Sequence, residues 1–258
     1  LPKMAEAIPL SEGFDESECA RRRETERLGT DRIIPLVLRL SLPAMLGLLV
    51  SSLYVFVDRL FVGNLIGEVG LAAMNSVIPF TTFIFAFSIL IGRGCAVIYS
   101  IALGRRDYQE AGRIFAQGIA LDLIISFVLM TIGLSFLPSI LRLFGAADEA
   151  IGLAHQYMSV SLYGTPFVLL TMQNHLIRSE GASTYAMMSQ ITGALLNVFL
   201  DWLFMSQFGL GIRGAAAATV ISQGVTVLLV MHFFARRSVI RFSFRHLLLT
   251  RNIFVQVM

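Results

Sequence analysis

Two aspartates lie where an aspartate is costly. Asp58 and Asp201 each close a stripe of small and polar residues within a long apolar run. At 100° per residue, Ala44, Gly47, Ser51, Tyr54 and Asp58 share one face of the first run. Met45, Leu49, Leu53, Phe56 and Leu60 lie opposite. The fifth run repeats the design, with Ser183, Ala186, Gln190, Gly193, Asn197 and Asp201 opposed to Met188, Ile191, Leu195, Phe199 and Trp202. On the sixth, Ala215, Thr219, Ser222, Gln223 and Thr226 line up. Small residues in such stripes are ordinary glue between membrane helices. A carboxylate is different, because it costs roughly 2.5–3.5 kcal/mol at a helix centre. Two carboxylates in one dry pocket do not both stay ionised cheaply, so one takes up a proton or a small cation sits between them. Occupancy then changes the charge, and the charge biases helix packing, which is the chemistry of ion coupling. The alternative for either acid is an ordinary helix end at the water interface.

These stripes need helices that cross a bilayer, and the composition supplies them. The chain is 56% hydrophobic and 14% charged, with a mean hydropathy of +0.75. Soluble domains carry roughly 25% charged residues, so this chain has too little polar surface for a water-exposed fold. Six apolar segments, near 33–60, 70–100, 113–141, 152–178, 184–206 and 213–235, are each long enough to span about 30 Å of hydrocarbon at 1.5 Å per residue. They far exceed the ~10 residues of a barrel strand, so helices are the reading. The second segment is too long for an upright helix and is expected to be interrupted at Gly92-Arg93-Gly94. Pro43, Pro79 and Pro166 fall inside spans and mark expected bends.

Leaving aside Arg93 within the second span, Lys and Arg divide sixteen to three between the two sides, with Arg59, Arg142 and Arg213 as the minority. The richer side is the cytoplasm, and both termini lie there. The net charge of +3 therefore reflects topology and does not imply a nucleic-acid partner. Residues 1–32 read as a cytoplasmic polar tail, helical from Ser17 to Leu28, and 236–258 as a cytoplasmic basic linker. Between them, 33–235 form an all-α integral membrane bundle of six transmembrane helices. Asp122, some nine residues into the third span, is expected to be reached by water. His-Glu-x-x-His and Gly-x-Ser-x-Gly are absent, as is any metal-ligand spacing, so the chain does not read as an enzyme and calls for no cofactor.

Five motifs carry a family resemblance: "LPAMLGLLVSSLYVFVDRLFVGNLIG" from Leu42, "SIALGRRDYQEA" from Ser100, "LIRSEGAST" from Leu176, "LLNVFLDWLF" from Leu195 and "GLGIRGAAAATVISQ" from Gly209. Together they resemble the multidrug and toxic compound extrusion (MATE) transporters, most closely the bacterial DinF-type branch. The resemblance implies one six-helix lobe of a twelve-helix transporter in the bacterial plasma membrane. Such a transporter exports organic cations and drugs in exchange for transported protons or sodium. It also implies that Asp58, Asn197, Asp201 and Thr219, with the backbone of Ala215, form the cation site. Asn174 and Asn197 match substrate-contacting positions, and Tyr54 and Gln190 on the same stripes are expected to line the cavity with them. The implied partners are membrane lipids, small organic cations and a second six-helix lobe, in the same chain or as a second copy. The chain stops at Met258 in what reads as the linker ahead of a seventh helix, so a truncated frame is the simpler expectation. Two other readings stand beside the exporter. One is a lipid-linked precursor flippase, with Arg93 as its candidate headgroup contact, and the other is a fragment inactive alone.

Overall fold

The computed structural model describes residues 33–240. Within them, apolar runs too long for strands become helices, and their order follows the sequence closely. The helices are α1 (Ile33–Leu65), α2 (Glu68–Gly104), α3 (Tyr108–Ser135), α4 (Leu137–Leu143), α5 (Asp148–Tyr163), α6 (Thr165–Thr171), α7 (Asn174–Ser179), α8 (Ser183–Asp201) and α9 (Ile212–Arg236). A single π-helical stretch, Trp202–Gln207, continues α8 without a gap. The expected helix at Ser17–Leu28 lies outside the described residues.

Five of the spans are long and apolar enough to cross a membrane as continuous helices. The fourth, expected at 152–178, is instead divided into α5, α6 and α7. The cause is local. Pro166 occupies the first turn of α6 and offers no N–H. After α6, the Met172 N–H bonds to Leu169 O and the Gln173 N–H to Leu170 O, a turn tighter than the α-helical register. That tightening releases the carbonyl of Val168, which accepts instead from the hydroxyls of Ser88 on α2 (3.1 Å) and Thr171 (2.7 Å). Broken helices survive in hydrocarbon only when side chains satisfy the freed backbone in this way.

The interruption expected at Gly92-Arg93-Gly94 does not occur, since α2 runs unbroken for 37 residues. Gly92 serves the broken span instead. A Cβ there would lie 2.6 Å from Met172 Cβ and 3.1 Å from its carbonyl oxygen. The glycine is thus the notch in α2 that receives the break. Pro43 and Pro79 stay inside continuous helices, so neither breaks its span.

Packing follows the stripes. α1 lies chiefly on α8, α8 on α9, and α2 on α3, while α5 is wedged between α2 and α9. Gly47, Asp58, Gly193, Asn197 and Asp201 are buried, while Met45, Leu49, Leu53, Leu195 and Phe199 stay exposed to the lipid side. α8 and α9 meet closely at Gly193, where a Cβ would come within 2.2 Å of Thr226 Oγ1. At the other end of the bundle, the buried Glu180 accepts from the hydroxyls of Tyr99 and Ser238, and its second oxygen accepts from the Val239 N–H at 3.2 Å. That carboxylate fastens the segment following α9 to α2 and to the end of the fourth span.

Candidate cation and substrate site

The stripes on α1 and α8 place their acids at one level. They are the first and fifth spans, an even number of crossings apart, so they run the same way through the lobe. They touch at Gly47, whose Cβ would fall 2.4 Å from Gln190 Oε1. Eleven residues on, each helix has risen about 16 Å and turned just over three full times. Asp58 and Asp201 stand at those positions, eleven beyond Gly47 and Gln190 respectively. Equal steps from a shared contact bring the acids to the same rung.

Both are turned inward, with Asp58 6% and Asp201 0% exposed. Asp201 feels the charge of Asp58, and both act on the phenols of Tyr54 and Tyr157. Both carboxylates are therefore covered by the lobe itself. On the same level, the Asn197 amide donates to Thr219 Oγ1 at 3.4 Å, and the Thr219 hydroxyl donates to Ala215 O at 3.1 Å. Four oxygens here are buried and receive no donor: Asp58 Oδ1, Asn197 Oδ1, and both carboxylate oxygens of Asp201. Buried acceptors without donors are costly. A group of them is the arrangement that a proton or an oxygen-seeking cation would satisfy.

Asp201 is also the last residue before the π-helical stretch. Such wide turns interrupt the i→i−4 ladder and recur at functional positions. Nothing in the apolar pattern of "DWLFMSQ" distinguishes a π turn from an α turn, so sequence reasoning could not have placed it. Tyr157 on α5 was also missed. It hydrogen-bonds Ser161 and faces the acids from a span the stripes did not connect to them.

The remaining expected substrate residues lie deeper. Asn174, at the start of α7, and Ser189 on α8 hydrogen-bond each other through the Asn174 amide group, at 3.1 and 3.2 Å. Gln190 accepts from Arg178 at 3.0 Å. Tyr54 and Asn197 thus belong to the level of the acids, whereas Asn174 and Gln190 form a second polar level about three helical turns away. Asp122 departs from expectation too. It is 0% exposed, near the midpoint of α3, so water does not reach it in this structure.

The MatE family model matches residues 43–203, a stretch that contains both acids. The chain is 28% identical over 223 residues to the multidrug export protein MepA of Staphylococcus saprophyticus, covering 86% of this chain and 49% of that one. Among solved structures, an outward-facing multidrug resistance MATE family transporter of the MOP superfamily superposes with a TM-score of 0.81 at 28% identity, over 95% of this chain and 53% of that one. A MOP superfamily transporter from Pyrococcus furiosus Vc1 gives the same TM-score, identity and coverage. The chain spans about half the length of the relatives it matches. With six helical spans in the arrangement of one lobe and a family match over more than half its length, this membrane protein belongs to the MatE family.

Proposed function

We propose that this lobe is the ion-coupling half of a secondary antiporter, one that exports cationic or amphiphilic drugs in exchange for protons or sodium. It would sit in a bacterial plasma membrane with both termini cytoplasmic and work against a second six-helix lobe. The observation that carries the reading is the cluster of donorless buried oxygens on Asp58, Asn197 and Asp201. When it is empty, two carboxylates face each other in a medium that screens poorly. Like charges sharing one pocket at an effective dielectric constant of ~20 repel by roughly a few kcal/mol, enough to move a two-state equilibrium by tenfold or more. A proton or cation removes that repulsion and lets α1 and α8 close at this end. α1 is the element suited to respond, because it leans mainly on α8 and little on its sequence neighbour α2. Asn174, Gln190, Tyr54 and Asn197 would meet the exported molecule, and lobe rocking around this fixed site would alternate its exposure.

The test is coupled efflux from the full-length reading frame reconstituted in vesicles. Asp201→Asn and Asp58→Asn should each reduce ion-driven export by about tenfold or more, the scale of losing a coupling term of ~1.4 kcal/mol, while the protein still inserts. Undiminished coupled export in both variants would remove this reading.

The flippase reading draws on one observation the sequence did not supply. Arg178 is half-buried, bonds Gln190 and keeps its Nε without an acceptor, so it offers an anion a donor at the deeper polar level. Saturable binding of a polyprenyl pyrophosphate, lost in Arg178→Gln, would favour that substrate class over organic cations.

A further inference from the structure

A third buried carboxylate lies away from the acid rung. Asp122 on α3 and Gln173, at the junction of α6 and α7, are both 0% exposed. Gln173 Nε2 donates to Asp122 Oδ2 at 2.6 Å. The other oxygen of each group, Asp122 Oδ1 and Gln173 Oε1, is buried and receives no donor. The surroundings are shaped for this pair. One turn before Asp122, Gly118 leaves open the space the amide fills, since a Cβ there would come 3.2 Å from Gln173 Nε2 and 3.0 Å from Cys95 Sγ. On the α2 side Asp122 faces the Cys95 thiol, on which its charge acts, while the fourth span presents to it the neutral Gln173 amide.

One proton reconciles both orphaned oxygens. A carboxylic acid and a primary amide form a closed ring of two hydrogen bonds, in which the amide N–H donates to one carboxyl oxygen and the acid O–H donates to the amide oxygen. Half of that ring is already in place. A hard cation fits poorly, because such ions gather about six or more oxygens, and this site offers two free ones beside a thiol.

We propose that Asp122 and Gln173 form a second proton-binding site of the lobe, with the proton on Asp122 Oδ1 and shared with Gln173 Oε1. The proton exchanges with solvent when the lobe opens transiently, and no bond other than O–H forms or breaks. With the ring closed, α3 is clamped to the break in the fourth span. Without the proton, a carboxylate oxygen is left against the amide oxygen and the clamp loosens. Gln173 immediately precedes Asn174, so occupancy of this site sets how firmly the deeper polar level is held. The inference does not depend on the exporter reading.

The test is infrared difference spectroscopy of the full chain in lipid vesicles through a pH titration, following the C=O stretch of protonated carboxyl groups. In the Asp58→Asn/Asp201→Asn double variant, which removes the acid rung's own proton sites, aspartate labelled with carbon-13 at its carboxyl should shift a band equivalent to one carboxyl per chain. Adding Asp122→Asn, which keeps an amide in the ring, should abolish that band. Gln173→Met leaves the acid in place and should move the band to higher frequency, so the idea stays testable even where Asp122→Asn does not fold. A protonated-carboxyl signal unchanged by both Asp122→Asn and Gln173→Met overturns the proposal. So does a band that vanishes on adding sodium at constant pH. Loss of drug coupling in the Asp58 and Asp201 variants is a separate outcome and leaves this one standing.

Discussion

At the level of single residues, Thr219 shows how finely the acid rung is supported. Its hydroxyl accepts a hydrogen bond from the Asn197 amide, which links α8 to α9 beside Asp201, and donates one to the Ala215 carbonyl. Thr219→Val is close in shape but strands the Asn197 amide, while the Ala215 carbonyl keeps its helical N–H donor. Leaving a buried partner unsatisfied costs about 1–3 kcal/mol, so the melting temperature in detergent should fall, and Thr219→Ser should restore it. Residues of this kind were partly legible in the sequence. Asp58 and Asp201 stand out because an intramembrane carboxylate needs a reason, and the stripes showed which way they face. Tyr157 and Gln173 did not stand out. A tyrosine or glutamine in a membrane helix is cheap enough to be unremarked, and their partners are remote in sequence, Asp122 being 51 residues from Gln173.

Among the elements, glycines decide how near two helices approach. Gly193 lets α8 meet α9, with the Thr226 hydroxyl in the space a methyl would need. Gly193→Ala should destabilise the lobe by about 1–3 kcal/mol, the usual cost of overpacking. Combining it with Thr226→Ala should recover most of that loss. A double-mutant cycle on thermal stability checks the coupling, and additive losses would mean that the penalty at Gly193 does not come from the Thr226 side chain. The number and order of spans were readable from composition, because length and hydropathy alone require them. Pro166 marked an expected bend in the fourth span, where the division begins, but the second interruption at Met172–Gln173 carried no such signal. Gly92-Arg93-Gly94 suggested an interrupted second span, yet the interruption lies in the fourth, and Gly92 is its counterpart across the packing interface. A glycine that accommodates a neighbour's irregularity looks, in sequence, the same as one that causes its own.

For the lobe as a whole, the question is what holds its pieces as one body. α1 depends heavily on α8, whereas the far end is drawn together by Glu180, which binds Tyr99 of α2 and the Ser238–Val239 segment after α9. Glu180→Ala should leave the helices intact by circular dichroism while hydrogen exchange at the Val239 amide speeds up markedly. Unchanged protection there would show that the burial of Val239 and Ile240 suffices without the carboxylate. Glu180 also has a mechanical consequence. Tension applied to the polypeptide beyond Ile240 is not taken up by the end of α9 alone. It passes through one carboxylate into α2 and the fourth span, so the lever arm for any tugging from that side is a few residues long, and the force arrives at the same broken span that carries Gln173.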